Sequence, residues 1–237
     1  MARNHSLWNA GSRRTRVKLC EFESLDAAYP ATLAGADALG FHIFKHHDVD
    51  YKVQLFATIF AHLPAAANRT LLTDLDRDVL EQKVMAKLEW DSVQLYPDWT
   101  PAEVRAFRQT IGDVKILKVM SAQSTENVVD DRAFLDRYKD VADAILLDSF
   151  RAGGTGKLAD LDHCRDVVAL SPLPVFLAGG LTVDNVGAAI EHVKPFGVDV
   201  ETGVSDRIPG GPLIKNLDKC TRFLNAVRVN DVKNGRV

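Results

Sequence analysis

Short apolar runs alternate along the chain with longer amphipathic stretches. The apolar runs are rich in Val, Ile and Leu and are mostly continuous, which is typical of parallel strands covered on both faces. They predict strands at 17–20, 37–44, 70–73, 91–96, 115–120, 143–148, 174–178 and 198–201. The spacing of apolar residues between them predicts helices at 24–34, 51–63, 77–88, 101–110, 126–139, 160–170, 183–193 and 212–227.

This strict alternation of strands and helices predicts a parallel sheet, and eight strands is the number that closes a barrel. An open doubly wound sheet is the alternative, but it would need a glycine-rich turn after its first strand, where Cys20-Glu21-Phe22-Glu23 stands instead. We therefore predict an α/β fold, a single (β/α)8 TIM barrel over residues 16–228. Residues 1–15 are expected to be a disordered extension and 229–237 a C-terminal tail.

Composition and charge argue against several classes of function. A formal net charge of −3 gives no electrostatic case for binding nucleic acid or an anionic membrane surface. No apolar run approaches the roughly 20 residues that a membrane span needs. The three cysteines are widely spaced, which argues against a disulfide framework or a structural zinc site. We expect a cytoplasmic protein, monomeric or homodimeric.

The seven histidines have no spacing typical of a metal-ligand pair, so no metal site is predicted from them. His42 differs from the other histidines in its position, because it lies inside the second predicted strand and can face the mouth of the barrel.

Glycine-bearing turns follow the last three predicted strands. Exposed backbone N–H groups in such turns, with a helix starting nearby, form a nest for a phosphate group. In a TIM barrel these phosphate sites lie after the last strands. The sequence therefore predicts a phosphorylated small molecule as ligand, bound chiefly by the loops after strands 7 and 8. The candidate residues are Gly153, Gly154, Thr155, Gly156, Ala178, Gly179, Gly180, Thr202 and Gly203.

Cys20 and Asp148 are the candidate catalytic residues. Cys20 ends the first strand and shares a face with Lys18, whose charge would favour the thiolate and make Cys20 a base. Asp148 ends the sixth strand beside an apolar wall, where desolvation raises the pKa of a carboxyl group toward use as a general acid. A buried structural cysteine and a helix-capping aspartate are the alternative interpretations.

The chain resembles the phosphoribosylanthranilate isomerase family over roughly 17–227. The matching pieces, in order, are VKLC (17–20), AGADALGF (34–41), VQL (93–95), LLDS (146–149), GGTGK (153–157), LAGGLTVDNV (177–186) and GVDVETGV (197–204). The resemblance implies a (β/α)8 barrel without cofactor or metal that converts an N-linked aminoaldose into an aminoketose. It implies that Cys20 takes the sugar C2′ proton, that Asp148 protonates the ribose ring oxygen, and that the glycine turns hold the phosphate.

The chain departs from the family at the side that would bind the non-sugar part of the substrate. Glu21 stands where the family has glycine after its cysteine, and Phe44-Lys45-His46-His47-Asp48 replaces the family's Ser-Pro-Arg segment. We expect the same handling of the sugar phosphate with a different substituent. The alternatives are a lyase, aldolase or epimerase for another phosphorylated metabolite, and a non-catalytic binding protein, which would need neither Cys20 nor Asp148.

Overall fold

Eight parallel strands close into one barrel in sequence order, with β8 hydrogen-bonded to β1. The computed structural model describes residues 6–8, 13–121, 128–148, 159–209 and 211–236. The strands are β1 Arg16–Leu19, β2 Ala38–Ile43, β3 Asn68–Thr73, β4 Ser92–Leu95, β5 Lys115–Ser121, β6 Ala144–Asp148, β7 Val175–Leu177 and β8 Gly197–Val200. The predicted TIM barrel is confirmed.

Helices connect the strands and cover the outside of the barrel. They are α1 Leu25–Leu33, α2 Val49–His62, α3 Arg77–Val79, α4 Pro101–Ile111, α5 Val128–Tyr138, α6 Leu161–Leu170, α7 Val186–Val193 and α8 Leu217–Lys233. The capping box at Thr100 and Glu103 forms as the sequence indicates, with Pro101 in the first turn of α4. Among the described helices, none has the length and apolar character required to cross a lipid bilayer.

The barrel has two apolar layers because side chains alternate along each strand. One set points outward and packs under the helices, as Val93 and Leu95 do on β4. The other fills the lower interior with residues such as Leu146 and Phe176. Polar side chains line the rest of the interior, so the end of the barrel at the C-terminal strand ends is lined by chemically active groups. We call that end the mouth.

Two local features differ from the prediction. After α3 the chain continues as a π-helix, Leu80–Met85, within the predicted single helix 77–88. After β8 it forms an antiparallel hairpin of β9 Ser205–Arg207 and β10 Leu213–Lys215. The predicted start of the last helix at 212 is therefore wrong. The alternation of apolar and amphipathic segments in the sequence does not distinguish a three-residue strand from the first turn of a helix.

Residues at both ends of the chain contact the barrel. Leu7, in a short 3-10 helix at Ser6–Trp8, is buried, and its carbonyl accepts a hydrogen bond from Arg16 Nε. Thr15 donates from both its N–H and its hydroxyl to the Asp231 carboxylate, each at 2.7 Å. The last helix runs to Lys233, six residues past its predicted end at 227.

Candidate active site

The pairing of β1 with β8 sets the position of a buried lysine beneath the mouth. Lys18 is directly opposite Asp199, and both side chains point into the barrel. Lys18 Nζ lies 2.8 Å from Asp199 Oδ1 with no exposed side-chain surface. Burial alone would lower the pKa of Lys18, but the adjacent Asp199 carboxylate, which also accepts a hydrogen bond from Lys18, outweighs burial and the pKa is raised. Lys18 is therefore a fixed positive charge.

Cys20 lies directly above Lys18, and its sulfur has two polar neighbours. Lys18 Nζ donates to Sγ at 3.2 Å, and His42 Nε2 lies 3.3 Å from Sγ. Gly40 leaves the space for the sulfur, since a Cβ at that position would lie 2.7 Å from it. Burial raises the pKa of the thiol far more than Lys18 lowers it. The predicted effect of Lys18 has the right sign, but it does not produce a thiolate near neutral pH, because Cys20 is only 2% exposed.

His42 extends from β2 into the mouth, the position that its strand register indicates. Burial, together with the nearby Lys18 charge, lowers its pKa well below the ordinary value, so the imidazole is neutral. Its Nε2 is 3.9 Å from Glu201 Oε2. Cys20, His42 and Glu201 each offer one ligand atom within 4.8 Å of the other two.

Glu21 and Glu201 place two carboxyl groups next to one another at the edge of the mouth. Burial and the neighbouring Glu21 raise the pKa of Glu201 to about 8. Glu21 adopts a left-handed backbone conformation, with φ of 66°. Its Oε2 is buried without a hydrogen-bond partner among the described residues. A glycine would take this φ without strain, so the Glu21 departure has a cost in backbone energy.

Tyr96 lies in the mouth within electrostatic range of both predicted catalytic residues. Burial raises its pKa well above the usual value, and a negative charge on Cys20 or Asp148 raises it further when that group is ionised. Asp148 is the last residue of β6 and is 7% exposed. Cys20 and Asp148 are therefore both within electrostatic range of one hydroxyl group in the mouth, although they come from non-neighbouring strands of the barrel.

Two of the predicted phosphate turns lie side by side at the ends of β7 and β8. Gly179 and Gly180 have φ values of 92° and 65°, and neither N–H donates to another described residue. The turn Thr202–Val204 packs directly on the first turn, since a Cβ on Gly203 would lie 1.9 Å from the Leu181 carbonyl oxygen. Ala178, the residue before the first turn, is buried. The third predicted turn, with Gly153, Gly154, Thr155 and Gly156, lies outside the described residues.

The β9–β10 hairpin supplies a cation that the sequence analysis does not identify. Lys215 Nζ donates to the Glu201 carbonyl at 3.2 Å and to Ser205 Oγ at 2.7 Å. It lines a cavity of about 250 Å³ with Glu21 and Glu23. In the sequence, Lys215 is marked only by its position just before the helix N-cap Asn216. Lysines are too common at such positions for this to predict a site residue.

The segment that replaces the family's Ser-Pro-Arg sequence carries no free positive charge among its described atoms. Lys45 Nζ pairs with Asp76 at 2.7 Å, and its backbone N–H donates to Asp74. Phe44 stacks on His47, with ring centroids 5.8 Å apart. Lys45 is therefore directed toward Asp76.

The sequence matches a known family over the whole barrel. The model of the N-(5′-phosphoribosyl)anthranilate isomerase family covers residues 17–226. The chain belongs to this family. Among curated phosphoribosylanthranilate isomerases, that of Halorubrum lacusprofundi is 34% identical over 196 residues, 80% of this chain and 87% of the relative. That of Haloferax volcanii is 33% identical over 223 residues, 90% of this chain and 93% of the relative.

Solved structures agree on the fold. The phosphoribosylanthranilate isomerase of Thermus thermophilus superposes with a TM-score of 0.74 at 21% identity, covering 91% of this chain and 99% of that one. Another phosphoribosylanthranilate isomerase, solved with reduced 1-(o-carboxyphenylamino)-1-deoxyribulose 5-phosphate, gives a TM-score of 0.71 at 24% identity over 91% and 99% of the two chains. The chain thus has the barrel fold of the family, with different residues near Cys20, at position 21 and at 44–48.

Proposed function

We propose that this chain catalyses the Amadori isomerisation of an N-linked ribose 5-phosphate, with Cys20 as base and Asp148 as acid. The observation that carries the proposal is that these two side chains stand at the C-terminal ends of β1 and β6, at one mouth and within electrostatic range of the Tyr96 hydroxyl. Membership of the phosphoribosylanthranilate isomerase family supports the reaction class. Phosphoribosylanthranilate is the first substrate to test.

The reaction needs one proton moved onto oxygen and one moved off carbon. Asp148 donates a proton to the ribose ring oxygen, the bond from that oxygen to C1′ breaks, and the nitrogen lone pair forms a protonated Schiff base. Cys20 then removes the C2′ proton, and the electron pair of that bond forms the enolamine. Protonation at C1′ and loss of the enol proton give the aminoketose. Two groups on different sides of a sugar can perform both transfers.

The thiol must lose its proton before it acts. Burial keeps it protonated in the ligand-free mouth. The positive charge of the Schiff base forms beside C2′, close to the sulfur in this arrangement, and a neighbouring positive charge favours a thiolate. Lys18 below the sulfur acts in the same direction. The base is therefore activated by the substrate as well as by the protein.

The phosphate is proposed to bind at the turns 178–180 and 202–203, with 153–156 as a third contact. Free backbone N–H groups at Gly179 and Gly180 support this placement. Binding energy from the phosphate would hold the sugar between the base and the acid.

The non-sugar part of the substrate is a second question, and one observation bears on it. Lys45 is paired with Asp76, and Glu21 stands next to Cys20 in the sequence, where the family has glycine. A carboxylate substituent such as that of anthranilate would lie near the Glu21 carboxyl group, and segment 44–48 has no arginine to bind it. The second candidate is therefore an N-ribosyl phosphate with an uncharged or cationic substituent.

The test is an isomerisation assay on phosphoribosylanthranilate beside N-ribosyl phosphates with neutral and cationic substituents. Cys20→Ser protein prepared in parallel measures the non-enzymatic background. Turnover of any substrate above that background supports the reaction class, and the order of kcat/KM identifies the substituent. No turnover of any member, by protein that binds inorganic phosphate, would favour the non-catalytic binding alternative.

We also propose that the protein is a monomer or a homodimer and acts in the cytoplasm. One solved relative, from Thermotoga maritima, is described as a dimeric phosphoribosylanthranilate isomerase from which monomers were generated. Light scattering at several protein concentrations distinguishes the two states.

A further inference from the structure

Three different metal-ligating side chains meet at the mouth. Cys20 Sγ lies 3.3 Å from His42 Nε2, and that nitrogen lies 3.9 Å from Glu201 Oε2. The ligand atoms of all three lie within 4.8 Å of one another. They come from β1, β2 and the end of β8, which are neighbours only because β8 closes on β1.

The donor set is one that a borderline-soft ion prefers. Thiolate, imidazole and carboxylate are the ligands of Zn²⁺ in proteins, and sites with three protein ligands keep a fourth position open. His42 offers a neutral ring nitrogen. The side chains of His42 and Glu201 are 12% and 20% exposed, so the open position would face the mouth.

Charge at the site also fits a divalent cation. A Cys20 thiolate and a Glu201 carboxylate balance the two positive charges of the ion. Lys18 is already neutralised by Asp199 at 2.8 Å.

We propose that Cys20, His42 and Glu201 form a binding site for Zn²⁺, and that the bound ion inhibits the enzyme by occupying the sulfur. Binding forms Zn–S, Zn–N and Zn–O bonds and breaks the S–H bond of Cys20 and the carboxylic O–H bond of Glu201. Both protons leave to solvent, and the ion loses water ligands in exchange. A sulfur bonded to the metal has no free electron pair of comparable basicity for the C2′ proton. Zinc and substrate therefore compete for the same mouth.

The experiment uses full-length, tag-free protein stripped of metal with a chelator. Co²⁺ is titrated first, because a cobalt–thiolate bond gives a charge-transfer band in the near ultraviolet. Zn²⁺ affinity is then measured by displacement of Co²⁺ and by calorimetry. The variants are Cys20→Ser, His42→Ala and Glu201→Gln, and the matched controls are Cys164→Ser, a buried thiol elsewhere, and His62→Ala, an exposed imidazole on α2. Thermal unfolding shows that each variant is folded.

We expect one Co²⁺ per chain with the charge-transfer band, which Cys20→Ser abolishes and both controls retain. Zn²⁺ affinity should fall by more than about 100-fold in His42→Ala and Glu201→Gln, since losing a mere hydrogen-bond partner of a ligand costs about 10–100-fold. Zn²⁺ inhibition should be competitive with substrate. A wild-type protein without the band, or equal Zn²⁺ affinity in all five variants, would overturn the site. Metal binding is measured without turnover, so a protein that fails the isomerase assay can still be tested for the Zn²⁺ site.

Discussion

Lys18 Nζ donates a hydrogen bond to Cys20 Sγ at 3.2 Å, although the two residues belong to the same strand. They meet because residues two apart on a strand share a face. Asp199 on the neighbouring strand holds the other side of the ammonium group at 2.8 Å. A buried ion pair thus supports the sulfur from below and leaves its upper side facing the mouth.

Replacing the sulfur should remove the base without disturbing the phosphate turns. We expect Cys20→Ser to lower kcat by roughly 10²–10⁴-fold, the usual contribution of a general base, while inorganic phosphate affinity stays within a few fold. Asp148→Asn should show a loss of the same order. Steady-state kinetics and calorimetry measure both, with Cys164→Ser as the control. A serine variant with wild-type kcat would exclude the base role.

The Lys18–Asp199 pair predicts a large coupling in stability. Lys18→Met leaves the Asp199 carboxylate buried without its partner, which should destabilise the fold by about 3–5 kcal/mol. Replacing both residues, as Lys18→Met with Asp199→Asn, should recover much of that loss, because no uncompensated charge remains. Urea unfolding of the two single variants and the double variant completes the cycle. Additive losses in the double variant would contradict the pairing.

Glu21 occupies a backbone conformation that suits glycine. Glu21→Gly should raise the free energy of unfolding by about 0.5–1 kcal/mol, because relief of the positive φ exceeds the entropy that glycine gains in the unfolded chain. Glu23→Gly is the matched control: Glu23 does not have positive φ and is ion-paired with Lys52, so this change should destabilise. If both substitutions destabilise equally, the backbone at residue 21 carries no strain.

Gly203 allows the two glycine turns to touch. A methyl group at this position would overlap the Leu181 carbonyl oxygen, so Gly203→Ala must separate the turns. We expect a loss of about 1–3 kcal/mol in stability and weaker binding of inorganic phosphate. In Gly187→Ala, the nearest atom to the new Cβ lies 3.7 Å away, so that variant should bind phosphate normally. Unchanged phosphate affinity in Gly203→Ala would place the anion elsewhere.

Lys118 predicts a pH dependence of stability. It is 1% exposed beside Phe134 and Tyr138, and burial lowers its pKa from 10.5 to about 8. Between these values the unfolded chain holds a proton that the folded chain lacks, so stability rises as the pH increases from about 8 to 10.5. Below pH 8 the buried charge costs up to about 3 kcal/mol.

Lys118→Met should therefore stabilise the protein at pH 7 and lose that advantage above pH 10.5. Urea unfolding at a series of pH values measures it, with the exposed Lys139→Met as control. A stability difference between Lys118→Met and wild type that does not change between pH 7 and pH 10.5 would contradict the lowered pKa.

The barrel could be predicted because its signal is repeated along the chain. Each apolar run between amphipathic stretches gives the same information, and a boundary error of one or two residues leaves the topology unchanged. The β9–β10 hairpin and the π-helix at Leu80–Met85 carry no such repetition. They depend on local hydrogen bonds that short sequences do not specify.

The active site was only partly predictable for a physical reason. Cys20 and His42 are visible from strand register alone. The approach of Glu201 depends on β8 closing on β1 and on the conformation of Glu21, which are properties of the finished barrel. The net pKa of Cys20 depends on how completely its surroundings exclude water, and a sequence shows the neighbouring charge of Lys18 without showing that exclusion.

The hydrogen bonds between Thr15 and Asp231 span 216 positions of the chain. During synthesis the first strand therefore leaves the ribosome long before its last neighbours exist. Until β8 emerges and pairs with β1, the nascent sheet has two open edges, of the kind that invite pairing with other chains. Closure of the barrel by β8, rather than formation of the early strand–helix units, is then the step that removes both open edges of the sheet.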